Sequence, residues 1–84
     1  MMYHYETLPD GTEIVHSQII HEDRTEKVIV NFERPTESGF DSARCELPEC
    51  KWLSVDGYTA EEIKDFEALL HKNAHLLYQH ARKM

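Results

Sequence analysis

The chain has 84 residues, of which 40% are hydrophobic and 30% are charged, and its formal net charge is −7. This composition predicts one folded domain, residues 1–84, and excludes a disordered chain; no apolar run approaches the roughly 20 residues that span a membrane. The acidic balance disfavours a nucleic-acid partner, and the N-terminal residues lack the basic and apolar regions of a secretory signal, which predicts a cytoplasmic location.

The chain begins with a predicted strand and a tight turn. Residues 1–8 place Tyr3 and Tyr5 on one face of an extended segment. In the Pro9-Asp10-Gly11-Thr12 segment that follows, proline fixes φ at the first corner and glycine supplies a positive φ. These residues predict a strand that ends at a turn.

Two more strands are predicted before residue 34. Residues 13–21 carry two apolar doublets, so either both faces are partly covered or a bulge changes the register near Ser17. Residues 26–33 alternate most clearly, with three apolar residues on one face. The polar segment between these strands predicts a turn, and a loop is expected from Pro35 to Gly39.

A fourth strand, residues 40–47, is predicted to end at Pro48, and residues 51–55 are a short fifth strand or an extended segment. Short connections between sequential strands favour a meander. We therefore predict an α+β fold: an antiparallel β-meander of four or five strands, within residues 1–55, followed by one long C-terminal helix packed on one face.

The start of that helix is the strongest local pattern in the chain. Thr59 can cap the helix by accepting from the backbone N–H of Glu62, whose side chain can reach back to the N–H of Thr59. Tyr58 and Ile63 can pack against each other across the cap. Since neither glycine nor proline interrupts the sequence that follows, the helix is predicted over residues 59–83.

The helix carries an apolar stripe of about 160°, wider than the roughly 100° that faces one core. The 24 residues 60–83 would make a helix about 36 Å long, whereas strands of seven residues are about 23 Å long. Part of the helix is therefore expected to overhang the sheet unless it crosses diagonally or frays. We therefore predict a protein-interaction surface there, with a second copy of the chain or another protein as the partner. Its residues are Asn73, Leu76, Leu77 and His80.

The helix also spaces Glu67, His71 and His75 four residues apart, as side chains that share a metal often are. Their directions drift around the helix, and a third or fourth ligand would have to come from elsewhere, from His4, His16 or His21. These residues are therefore weak candidates, and a solvated helix flank is the preferred interpretation. The six histidines could make stability or assembly pH-dependent. A metal- or pH-sensing domain is therefore the first alternative function.

The two cysteines, Cys45 and Cys50, are predicted to be reduced thiols. In one extended strand they would lie about 16 Å apart, too far for a disulfide, although Pro48 could bend the chain and bring them closer. A small enzyme with a Cys/His centre is the second alternative function, but sequence spacing shows no activated thiol. No catalytic residue and no cofactor is predicted, and surface recognition is the expected activity.

Overall fold

The computed structural model describes residues 1–84 as a six-stranded antiparallel sheet followed by one helix, which confirms the predicted α+β fold. The spatial order of the strands is β1-β2-β4-β5-β6, with β3 pairing β4 beyond the end of β2. The elements are β1 (Tyr3–Thr7), β2 (Glu13–His16), β3 (Ile20–Glu22), β4 (Thr25–Thr36), β5 (Gly39–Leu47), β6 (Lys51–Asp56) and α1 (Ala60–Arg82).

The sheet has six strands because the segment predicted as one strand, residues 13–21, divides into β2 and β3. The division follows Ser17, whose backbone N–H donates to the carbonyl of Ile29 at 2.9 Å while its Oγ accepts from the N–H of Ile29. The hydroxyl of Ser17 takes the place of a backbone acceptor for the N–H of Ile29. The chain can therefore turn away from β4 here while that N–H of Ile29 stays hydrogen-bonded. The structure thus has a break between two strands near Ser17, where the sequence allowed either two partly covered faces or a bulge.

Helix α1 covers the sheet face that carries the apolar residues of β4 and β5. The ring of Phe66 stacks on that of Phe32 with centroids 4.1 Å apart, and Tyr58 meets Phe66 edge-on at 4.9 Å. The capping box between Thr59 and Glu62 forms as predicted. The buried hydrophobic core consists of Ile14, Val28, Val30, Phe32, Ala43, Cys45, Leu47, Tyr58, Phe66, Leu70, Leu77 and Ala81.

The distal half of α1 does not overhang the sheet, so that expectation is wrong. Leu77 and Ala81, near the end of the helix, are both buried. The helix runs antiparallel to β4: Glu62 near its start binds Arg34, and Arg82 at its end binds Glu26, so the distal turns lie over the first residues of β4. The twelve residues of β4 extend about 40 Å, enough to run beneath a 23-residue helix of about 35 Å.

Candidate functional site

The four residues of the predicted interface lie on the distal half of α1, but three of them contact the chain itself. Leu77 is fully buried in the core of this chain, so it cannot contact a partner as predicted. Asn73 accepts from the hydroxyl of Tyr5 at 3.0 Å and donates to the carbonyl of Leu69. His80 bonds to a second histidine, and Leu76 alone is exposed, at 42%.

The partner of His80 is His16, at the end of β2. His16 Nε2 and His80 Nδ1 are 2.6 Å apart, and the ring centroids are separated by 4.8 Å. His16 is completely buried, with Nδ1 lying 2.8 Å from the carbonyl oxygen of Ser17. The contact joins the strand and the helix across 64 positions of sequence.

The hydrogen bonds of this histidine pair determine where its protons are. Because the Ser17 carbonyl can only accept, His16 Nδ1 donates to it. The Nε2 of neutral His16 then carries a lone pair and accepts from the Nδ1–H of His80. A second proton on His16 would make Nε2 the donor, and the contact then requires His80 to carry its own proton on Nε2 so that Nδ1 can accept. Two N–H groups face each other only when both rings are protonated.

The surroundings of His16 also favour its neutral form. Tyr3 and Tyr5 of β1 lie against the imidazole, with ring centroids at 5.9 and 6.4 Å. Burial lowers the pKa of His16, and the proximity of His80 lowers it further, whereas the bond to the Ser17 carbonyl acts in the opposite direction. Burial also raises the pKa of the Tyr5 hydroxyl, so that group stays protonated as the donor to Asn73.

A shallow groove of about 230 Å³ opens beside the histidine pair. Its lining residues are Tyr5, Leu76, Gln79, His80 and Lys83. The groove combines one exposed apolar side chain with an imidazole whose direction is fixed by His16, and with the cation of Lys83. These groups suit the edge of a protein contact: an apolar anchor beside polar groups that are already oriented.

Two of the weak metal candidates on α1, Glu67 and His71, line one cleft near the β5–β6 turn, whereas His75 is exposed and does not line it. Glu67 also accepts from the indole N–H of Trp52 at 2.9 Å. No group of three or more histidine, cysteine, aspartate or glutamate side chains is positioned to hold a metal ion. The structure therefore gives no support to a metal centre at these residues.

The two cysteines are unpaired, as predicted, but they lie close together. A turn at residues 48–50 reverses the chain after β5, so the separation expected for one extended strand does not apply. Cys50 packs against the core cluster that contains Cys45, and burial raises the pKa of both thiols. A raised pKa keeps a thiol protonated near neutral pH, which is the opposite of the activation that a nucleophilic cysteine needs.

A cluster of charged side chains surrounds Arg34 of β4, near the start of α1. Its guanidinium binds Asp10 at 3.0 Å and both Asp41 and Glu62 at 2.7 Å, and it lies over the ring of Tyr58. These partners raise the pKa of Arg34, so it remains charged. The cluster joins the first turn, β4, β5 and the helix cap, and every member is engaged within it, which indicates a structural role.

Sequence reasoning missed His16 as a member of the site. The available signal was its position two residues after Ile14, on the same face of β2, where the side chain must enter the core. The partner could not be inferred, because pairing His16 with one of five other histidines requires the register of α1 on the sheet. Tyr3 and Tyr5 were placed on a shared face, and both contact His16.

Comparison with known proteins adds no assignment: neither family models, nor characterised proteins, nor solved structures gave a match to this chain. Helix α1 is too polar to cross a membrane, and it is the only helix.

Proposed function

We propose that this protein is a protein-interaction module that acts by surface recognition, with a second copy of the chain as its partner. The supporting observation is Leu76, the one large hydrophobic residue of α1 that is exposed, beside the groove formed with Tyr5 and His80. Burying a leucine side chain contributes about 1.5–3 kcal/mol, so a partner that covers Leu76 gains from the contact. Two unpaired thiols suit a reducing compartment, so the proposed location is the cytoplasm.

The experiment is the solution mass by light scattering over a roughly hundredfold concentration range, with and without EDTA, for three proteins. Leu76→Ser removes the proposed anchor. Leu53→Ser is the matched control, because Leu53 is similarly exposed, at 45%, but lies on the edge strand β6. A dimer that EDTA does not affect and that only Leu76→Ser weakens supports the proposal. A monomer at every concentration, or a dimer weakened only by Leu53→Ser, refutes it.

A second candidate function, a pH-responsive domain, is favoured by the contact between His16 and His80. The pair ties the distal turn of α1 to β2, and its hydrogen bond requires that at least one of the two rings is neutral. Acidification that protonates both rings would separate them and release this end of the helix from the sheet. Nothing comparable favours metal sensing or a Cys/His enzyme.

Nuclear magnetic resonance of the imidazole nitrogens tests this second candidate directly. We expect His16 to hold its proton on Nδ1 and to titrate at a pH below the ordinary histidine range near 6.5. The variant His80→Gln removes the facing imidazole and should move the titration of His16 upward, since His80 contributes to lowering its pKa. Titration of His16 at its ordinary pH in both proteins would contradict a coupled pair.

A further inference from the structure

The two cysteines meet at the turn between β5 and β6. Cys45 is fully buried on β5, and Cys50 ends the turn that follows. Cys45 pairs with Trp52, and Glu46 pairs with Lys51. The turn that joins the two strands is therefore tight. Cys50 packs against the hydrophobic cluster that contains Cys45, so the turn brings the two cysteines into one neighbourhood of the folded chain.

The backbone at Cys50 explains how the thiols come together. Its φ is +57°, in the left-handed region that glycine and asparagine normally occupy and that other residues adopt uncommonly. In this conformation Cys50 packs against the hydrophobic core that contains Cys45. A cysteine held in an unfavourable backbone conformation points to a use for its side chain.

The two thiols differ in access. Cys50 is half-buried and lines a cleft of about 280 Å³ between the turn and α1, whereas Cys45 lies behind it in the core. The polar members of the cleft are Glu49, Glu67 and His71. A small reagent in this cleft can reach the sulfur of Cys50 but not that of Cys45.

We propose that Cys45 and Cys50 form a thiol–disulfide exchange site whose substrate is a small cationic disulfide. The thiolate of Cys50 attacks one sulfur of the reagent and expels one small thiolate, which takes up a proton. Cys45 then loses its proton to solvent and attacks the sulfur of Cys50, which releases the second small thiol. Two protein thiols become one disulfide, and the reagent is reduced to two thiols. This site does not depend on the proposed interface.

The charge of the cleft sets the preferred substrate. Glu49 and Glu67 place two carboxylates at its edge, and the whole chain carries a net charge of −7. A dianionic disulfide such as oxidised glutathione is repelled, whereas a dication such as cystamine is attracted. Burial raises the pKa of both thiols, so the exchange rate should increase about tenfold per pH unit between pH 7 and 8.5.

The test is intact-mass spectrometry of the folded protein after incubation with cystamine at pH 8. The wild type should lose two hydrogens and keep no adduct. Cys45→Ala lacks the second thiol and should stop with one cystamine half bound at Cys50. Cys50→Ala keeps only the buried thiol and should react at least about tenfold more slowly than Cys45→Ala. Circular dichroism confirms that each variant is folded, and both should react at similar rates in urea.

The outcomes distinguish the proposed exchange site from the ordinary reaction of an exposed thiol. A wild type that keeps a bound cystamine half, or does not react while the urea-unfolded chain does, overturns the exchange site. Reaction at Cys45 with the same rate as at Cys50 overturns the assigned order. For the charge preference, Glu49→Gln should narrow the rate ratio of cystamine to oxidised glutathione, and an unchanged ratio would refute the preference for a cation.

Discussion

Acidification should destabilise this protein through His16, and the substitution His16→Gln should remove that part of the pH dependence. Burial lowers the pKa of His16 in the folded protein, whereas the unfolded chain titrates near 6.5. Between these two pKa values the unfolded chain binds more protons, so the free energy of unfolding decreases as the pH falls. The stabilisation is complete above pH 6.5 and is lost as the pH drops towards the folded-state pKa.

The size of this pH dependence follows from the one additional proton that the unfolded chain binds at residue 16. A difference of one bound proton changes the free energy of unfolding by about 1.4 kcal/mol for each pH unit within this window. An 84-residue domain is stable by about 4–13 kcal/mol at 0.05–0.15 kcal/mol per residue. One pH unit therefore removes a measurable share of the total. Glutamine suits the test because its amide can donate to the Ser17 carbonyl without titrating.

The assay is urea unfolding followed by circular dichroism at pH 8, 7, 6 and 5.5, for the wild type, His16→Gln and the control His21→Gln, whose side chain is exposed on β3. The stability difference between the wild type and His16→Gln should shrink as the pH falls, whereas His21→Gln should run parallel to the wild type. If the stability of His16→Gln also changes with pH in parallel with that of the wild type, the buried neutral imidazole is not linked to stability, and the reasoning fails.

Three further predictions concern the fold around the site. Leu77→Ala should cost about 3 kcal/mol by opening a cavity in the core, whereas Leu76→Ala should cost less than about 1 kcal/mol; equal costs in urea unfolding would contradict their different burial. Gly57→Ala should cost about 2 kcal/mol, because Gly57 has a φ of +93° and an added Cβ would collide with Asp41; an unchanged melting temperature would refute this. Arg34→Met should lower the urea midpoint more at low salt than in 1 M NaCl, since salt screens the three carboxylates left behind; a salt-independent loss would argue against a charge effect.

The parts of the fold that local chemistry determines could be predicted from the sequence. The capping box at Thr59 and the turn at Pro9–Thr12 each depend on neighbouring residues, and each is present. The length of β4 could not be predicted in this way. Pro35 reads as the end of a strand because proline lacks an N–H, yet it pairs with Phe40 beside the turn, where one missing donor is tolerated.

The candidate site depends instead on contacts between distant residues. His16 and His80 are 64 positions apart, and whether they meet depends on how far α1 extends along the sheet. The end of the helix lies over the first residues of β4, where the hydroxyl of Tyr78 donates to the carbonyl of Glu26. That placement is a contact between distant residues, and without it the sequence predicts an overhang and assigns Leu77 to a partner.

The position of the histidine pair links the two proposed functions. His80 lies in the groove beside Leu76 and at the same time bonds to the buried His16. A partner that covers the groove and holds His80 in place favours neutral His16, so binding and deprotonation should promote each other by the same free energy. Dimer dissociation should therefore increase below pH 6.5 in the wild type and change less in His16→Gln. Equal pH dependence of the dissociation constant in both proteins would show that the groove and the histidine pair act independently.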